Sequence, residues 1–321
     1  MTYLGIDIGG TRLKAGLVDE QGRILRTALA TSPSSRQTLE ATLPPLVRQL
    51  LTGDNPTAAA FGCKGIIDPA TTEVRTMPGV WGFLTGLRPA TLLDGVLPPG
   101  TPITADNDAK AALAGEAAWG AAKGRRDVLL LTLGTGIGGA ILANGQILRG
   151  SADVSGHLGH ICADPNGPLC ICGNQGCLEA IFSARAIEAD AWSAMHQGCS
   201  SPMTDILRAT PEALNTHFVF EQAALGDQIA QAILNRKIRV LGACLAGLLH
   251  AFDPEIVILS GSIADAGPAL FEPLQKEVDW RVKGLLKRSV PLVPSGVQDT
   301  SGVVGAAALA FRLGADSDLR P

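Results

Sequence analysis

The chain of 321 residues is long enough for two domains, and with 46% hydrophobic residues it can bury a large core. Its 30 acidic and 26 basic side chains leave a formal net charge of -4, and no Lys/Arg run stands out, which argues against a protein that grips a nucleic-acid backbone. No segment approaches the length of an uncharged membrane span, and the opening MTYLGIDIGG lacks a charged stretch followed by an apolar one, so a moderately acidic cytoplasmic enzyme is expected.

Hydrophobic patterning predicts strands over 3–8, 13–18 and 24–30, with Gly9-Gly10-Thr11 between the first two and a turn over 19–22. The plan recurs: strands over 128–133 and 137–143 flank Gly134-Thr135-Gly136, and a turn follows at Asn144-Gly145. At one constant offset Gly10 and Thr11 match Gly134 and Thr135, and Leu13, Leu17 and Val18 match Ile137, Ile141 and Leu142. The chain is internally duplicated. A glycine-threonine turn lets backbone N–H groups approach an anion with no Cβ in the way, so two such turns are candidate grips on a polyphosphate, although each alone also reads as an ordinary hairpin. Asp7 ends the first strand where the second copy has Leu131. A carboxylate beside a phosphate turn is a natural Mg2+ partner, directly or through water. Lys14 either adds positive charge to the same cradle or is a solvated strand-edge lysine.

Between the copies, a short strand over 103–105 runs into an alanine-rich helix over 109–118, which puts Asp106-Asn107-Asp108 at the junction. One such residue suffices as an N-cap. A further carboxylate there is placed to accept a hydroxyl proton during phosphoryl transfer.

The segment 156–180 gathers His157, His160, Cys162, Cys170, Cys172 and Cys177 among glycines. In a reducing compartment, clustered cysteines point to metal rather than to disulfides. His160, Cys170, Cys172 and Cys177 form the ligand set of a closed, structural zinc site, with an iron–sulfur cluster or unliganded thiols as the alternatives. Cys63, Cys199, Cys244 and Cys162 read as free thiols, and His196, His217 and His250 show no ligand spacing. Beyond the loop, 226–252 reads as a buried helix, apolar on more than one face, ended by Asp253-Pro254. A strand over 255–260 then runs into Gly261-Ser262, a turn able to pack against adenine or ribose or to serve as a plain strand-to-helix turn. An apolar helix over 303–313 follows.

Taken in order, Asp7-Ile8-Gly9-Gly10-Thr11, Asn107-Asp108, the glycine run Gly134 to Gly139, Gly159-His160, the cysteine loop ending Cys177-Leu178-Glu179, and Ile258-Leu259-Ser260-Gly261 resemble the ROK-family sugar kinases over nearly the whole chain. The resemblance implies an α/β, two-domain actin-like ATPase (ribonuclease H-like) fold with an interdomain cleft for sugar and ATP. The expected domains are 1–106 plus 303–321, smaller and N-terminal, and 107–302, larger and carrying the zinc loop, hinged near Asn107 and Ser301. It implies Asp108 as catalytic base and sugar contacts from Gly65, Asn107, Asp108, His157, His160 and Glu179. ATP and phosphate contacts are implied for Asp7, Gly9, Gly10, Thr11, Lys14, Gly134, Thr135, Gly136 and Gly261. ATP, Mg2+ and a structural Zn2+ are the implied cofactors, with a small-molecule sugar as partner, no nucleic acid or membrane, and a homodimer as the assembly.

Two positions depart from the family pattern. Most members carry a glutamate where this chain has His157, and glucokinase-type members often place an Asn shortly before a tryptophan where this chain has Met77, Pro78 and Gly79 ahead of Trp81. The Gly-His-x-Gly-His variant and its surroundings resemble bacterial N-acetylmannosamine kinases, so N-acetylmannosamine leads and glucose or another hexose is the runner-up. Some relatives are transcriptional repressors with an N-terminal helix-turn-helix. Here the first strand begins at Tyr3, which disfavours that class and, with Asp7, Asn107 and Asp108 present, favours a working enzyme over a sugar sensor.

Overall fold

The computed structural model describes residues 1–77, 79–297 and 301–317, so Pro78 and, within the expected domains, 298–300 and 318–321 lie outside the described residues. The chain packs as two units. The first takes in Met1–Arg125, Ile147–Ser155 and the described part of Ser295–Pro321; the second takes in Arg126–Gln146 and the described part of Gly156–Pro294.

In the first unit, β1 (Thr2–Ile8), β2 (Arg12–Asp19) and β3 (Ile24–Thr31) form an antiparallel meander, and β4 (Ala58–Cys63) and β7 (Ile103–Asn107) extend it in parallel, giving the order β3-β2-β1-β4-β7. A small hairpin, β5 (Ile66–Ile67) and β6 (Val74–Thr76), follows β4. The central strands are covered on both sides, which is why β4 is the unbroken small and apolar run Ala58 to Cys63, buried at every position. Helix α1 (Arg36–Leu51) starts at Ser35, whose side chain and backbone exchange hydrogen bonds with Thr38, and its Leu39, Leu43, Val47 and Leu50 recur at helical spacing and are buried. The C-terminal helix, Ser301–Ser317, lies against β1 and β4 and buries Val303, Val304 and Ala306 to Ala310. It also packs on α2 (Asp108–Trp119), where a Cβ on Gly115 would come within 3.1 Å of the Gly305 Cα. That glycine-on-glycine contact keeps α2 in the first unit, so the unit boundary falls after Arg125, whereas the expected domain boundary was at 106/107.

The second unit has the sheet order β10-β9-β8-β11-β12, built from β8 (Val128–Leu133), β9 (Ile137–Ala143), β10 (Gln146–Ile147), β11 (Ile256–Ser260) and β12 (Leu292–Pro294). β8 and β9 are antiparallel, and β11 is parallel to β8 and β12. The repeat read in the sequence is therefore a repeat of topology, with a glycine turn between the first two strands of each sheet. Around this sheet lie α3 (Leu178–Phe182), α4 (Ala184–His196), α5 (Pro202–Ala209), α6 (Thr216–Ala224), α7 (Gln228–Phe252) and α8 (Pro268–Val282). Helix α7 is amphipathic, which corrects the reading of it as apolar on more than one face: Ile233, Leu234, Lys237, Ile238, Leu241 and Leu245 are buried, while Ala232, Ala243 and Gly247 sit on the exposed side. Small residues on the outside made its sequence look apolar all round.

Candidate active site

In the first unit the β1–β2 register sets Asp7 opposite Lys14, and Ile8 pairs with Leu13, so the chain must reverse through Gly9, Gly10 and Thr11. The Gly9 N–H donates to the Arg12 carbonyl at 3.1 Å and closes that turn, leaving Gly10 and Thr11 exposed. Asp7 is hemmed in by the first turn of the C-terminal helix, since a Cβ on Gly302 would lie 2.5 Å from the Asp7 Cγ. Burial, and next the nearby Asp108 charge, raise the Asp7 carboxyl to about 6, against the opposing pull of Lys14 and Lys64. Two carboxylates thus share one neighbourhood, and a dication there would relieve both burial and repulsion.

At the end of β7 the three polar residues divide their tasks. Asp106 is buried and takes the Arg149 guanidinium at 2.5 Å; burial pushes its carboxyl up, and Arg149 and Lys110 pull it back. Asn107 caps α2, accepting from the Ala109 N–H at 3.0 Å, while its Nδ2 donates to the Gly65 carbonyl at 3.2 Å. Asp108 takes the Ala109 N–H at 2.9 Å through Oδ1 and belongs to the first turn of α2. Gly65 has φ of +99°, and a Cβ there would strike the Thr76 carbonyl at 2.5 Å, so only glycine fits. No local sequence signal announces the ion network around Asp106: Lys110 donates to the Asp153 carbonyl at 2.6 Å, and the exposed Arg75 bridges Asp68 and Asp153 at 2.7 and 3.1 Å. Trp81 packs with Phe83 against the first unit's core.

In the second unit the glycine turn after β8 is tied to α3. The Glu179 carboxylate accepts the Ile137 N–H at 2.8 Å, and a Cβ on Gly136 would sit 3.2 Å from the Glu179 Cδ. Arg185, a residue not singled out in the sequence, donates to the Thr135 carbonyl at 3.0 Å. Gly261, at φ +89°, leaves no room for a Cβ beside the Leu133 carbonyl, so the end of β11 closes onto the same turn. The 157–160 loop presses on β9, because Gly139 faces Leu158 with no space for a side chain. His157 and His160 present near-parallel rings with centroids 6.4 Å apart.

The four expected metal ligands do converge. The ligand atoms of His160, Cys170, Cys172 and Cys177 all lie within 4.8 Å of one another. His160 Nδ1 is 3.6 Å from Cys170 Sγ, and Cys172 Sγ is 3.6 Å from Cys177 Sγ. A tetrahedral site with Zn–S bonds of ~2.3 Å has S···S edges of ~3.8 Å, so the two 3.6 Å contacts match that ion, and the wider separations, up to 4.8 Å, would have to close around it. Gly173 and Gly176, both at positive φ, fold the loop tightly enough to do this. Burial, then the neighbouring thiols, push the Cys177 thiol up to about 12, and a bound dication would offset the cost of ionising it. A hollow of about 260 Å3 borders this loop, with Cys170, Glu179 and Arg185 in its lining.

The ROK family model matches residues 3–312. The chain belongs to the ROK family. It is 32% identical to a glucokinase of Thermotoga maritima over 96% of this chain and 97% of that one. It is also 32% identical to an N-acetylmannosamine kinase of Escherichia fergusonii, over 97% and 98% of the two chains. A ROK family glucokinase from Streptomyces griseus, solved in complex with glucose and AMPPNP, superposes with a TM-score of 0.79 at 30% identity, covering 97% of this chain and 100% of that one. The fold is the two-domain actin-like ATPase fold of ROK sugar kinases, as the sequence resemblance implied, and this ROK chain is an ATP-dependent sugar kinase. Among the described residues, no helix is long and apolar enough to cross a membrane.

Proposed function

We propose that this ROK kinase transfers the γ-phosphoryl group of ATP to the 6-hydroxyl of an N-acetylhexosamine, with N-acetylmannosamine the leading substrate. The observation that carries the choice of sugar is His157. Its ring stands parallel to that of His160, at the position where the family pattern has an acceptor-only carboxylate. A neutral imidazole offers one donor and one acceptor and so can face an N-acetyl carbonyl, which a carboxylate cannot do.

Asp108 takes the sugar hydroxyl proton as the new O–P bond forms and the bond to the leaving ADP breaks. Gly65, Asn107, His157, His160 and Glu179 hold the sugar. Asn107 does so with an amide whose orientation is already set by the α2 cap and the Gly65 carbonyl. Gly9, Gly10, Thr11, Lys14, Gly134, Thr135, Gly136 and Gly261 serve ATP, and Asp7 holds Mg2+ directly or through water. When bound, Mg2+ neutralises charge developing on the phosphates. His160, Cys170, Cys172 and Cys177 hold a structural Zn2+. Because His160 turns Nδ1 to the cysteines, its Nε2 is left for a sugar oxygen, and the metal fixes the direction of the ring. Cytoplasmic residence, a homodimer and the absence of nucleic-acid binding belong to the same reading.

Glucose is the second reading, supported by the equal 32% identity to the Thermotoga glucokinase. A coupled ADP-release screen over glucose, mannose, glucosamine, N-acetylglucosamine and N-acetylmannosamine decides between them. We expect a higher kcat/KM for N-acetylmannosamine than for glucose, and a shift of roughly tenfold toward glucose in His157→Glu. Glucose preferred by the wild type, with the ratio unmoved in the variant, would put the glucokinase assignment in its place.

A further inference from the structure

We infer that the ammonium of Lys64 contacts the phosphoryl group as it passes from ATP to the sugar, an assignment that rests on the kinase reading above. Lys64 was not singled out in the sequence, and its place follows from the sheet. β1 and β4 run parallel with Ile8 beside Cys63, so Gly9 and Lys64 leave the sheet side by side at the same end. From there the Lys64 side chain reaches over the glycine turn: its Nζ lies 3.5 Å from where a Cβ on Gly10 would stand. On its other side Lys64 is followed by Gly65, whose carbonyl is bound to the Asn107 amide at the start of the Asp108 helix. The lysine thus stands between the turn assigned to the donor phosphates and the residues assigned to the acceptor hydroxyl, where the transferred group must pass.

Two buried lysines of the chain have structural work. Lys110 donates to the Asp153 carbonyl and Lys237 to the Ile181 carbonyl, both at short range, and both are buried. Lys64 is exposed and, among the described residues, makes no hydrogen bond or salt bridge. Its charge is felt by the Asp7 carboxylate. Phosphoryl transfer spreads negative charge over three equatorial oxygens, and here it occurs beside two carboxylates, Asp7 and Asp108, that repel it. A positioned cation is the group such a site needs, and removing one commonly lowers turnover by orders of magnitude.

The test compares wild type, Lys64→Ala and Lys64→Arg as full-length, zinc-replete proteins, using the sugar with the highest wild-type kcat/KM. Turnover is measured alongside binding of Mg-ADP and of Mg-AMPPNP, which differ in the third phosphate. We expect kcat to fall about 100-fold in Lys64→Ala with the sugar KM within about threefold of wild type, and Lys64→Arg to recover about tenfold of the loss. AMPPNP binding should weaken about tenfold in the alanine variant, with ADP binding within about twofold. Retention of kcat within about threefold, or equal weakening of ADP and AMPPNP, overturns the assignment. If the wild type turns over none of the sugars, it is the kinase reading that fails. The ADP and AMPPNP comparison still decides whether Lys64 meets the third phosphate.

Discussion

Replacing Asp7 by Asn should make the protein more stable at neutral pH while removing its activity. The Asp7 carboxyl rises from an ordinary 3.8 to about 6, chiefly through burial and then through Asp108. A raised carboxyl pKa means the unfolded chain ionises first, so the folded state loses stability as pH climbs from about 4 to about 6 and does not regain it above that window. At 1.36 kcal/mol per pKa unit, the full shift corresponds to ~3 kcal/mol at pH 7.5 and roughly half of that at pH 5. The first turn of the C-terminal helix abuts the carboxylate at Gly302, and its positive end favours the anion by about 0.3–1 kcal/mol. The net expectation is a stabilisation of about 2–3 kcal/mol for Asp7→Asn at pH 7.5, with roughly a third of it gone at pH 5. Urea denaturation without added Mg2+, followed at both pH values, measures the difference. Adding Mg2+ should narrow it, because a cation over the ionised Asp7 stabilises only the wild type. An Asn variant that is less stable at pH 7.5, or one whose advantage is the same at both pH values, would refute the argument.

Other expectations bear on the remaining parts of the site. Asp108→Asn should lower kcat by about two to four orders of magnitude with sugar binding largely kept, measured by steady-state turnover beside equilibrium binding. In Cys172→Ser, elemental analysis should show a lower zinc content than in the wild type, and sugar affinity should fall with it because His160 loses its anchor; a wild-type protein purified without zinc would contradict this. Gly136→Ala puts a methyl against the Glu179 carboxylate, which must leave the Ile137 N–H. The expected result is a rise of about tenfold in sugar KM with a loss of about 1–2 kcal/mol of stability, read by kinetics and denaturation.

What could be read from the sequence was what is local. The strand-turn-strand unit around Gly9 and its copy around Gly134 were legible because alternation and glycine placement lie within a dozen residues, and both sheets then repeat the same strand order. The convergence of His160, Cys170, Cys172 and Cys177 was legible from the spacing of the three cysteines, with His160 just ahead. The Asp106–Arg149 pair was not, since Arg149 belongs to a short segment that returns to the first unit after three strands of the second sheet, and nothing local announces that return. Lys64 looks like any surface lysine until β1 and β4 are paired. The unit boundary after Arg125 was hidden for a similar reason, because it depends on Gly115 meeting Gly305 from the far end of the chain.

That far-end contact also bears on how the protein is made. The second unit is drawn from one nearly continuous stretch, whereas the first needs the C-terminal helix to cover β1 and β4. During synthesis the second unit can reach its full set of partners while the first sheet, already outside the ribosome, still exposes the apolar face meant for Val303, Val304 and Ala306 to Ala310. The half that emerges first is therefore the half that finishes folding last, and in the interval its strands are open to chaperones and to aggregation.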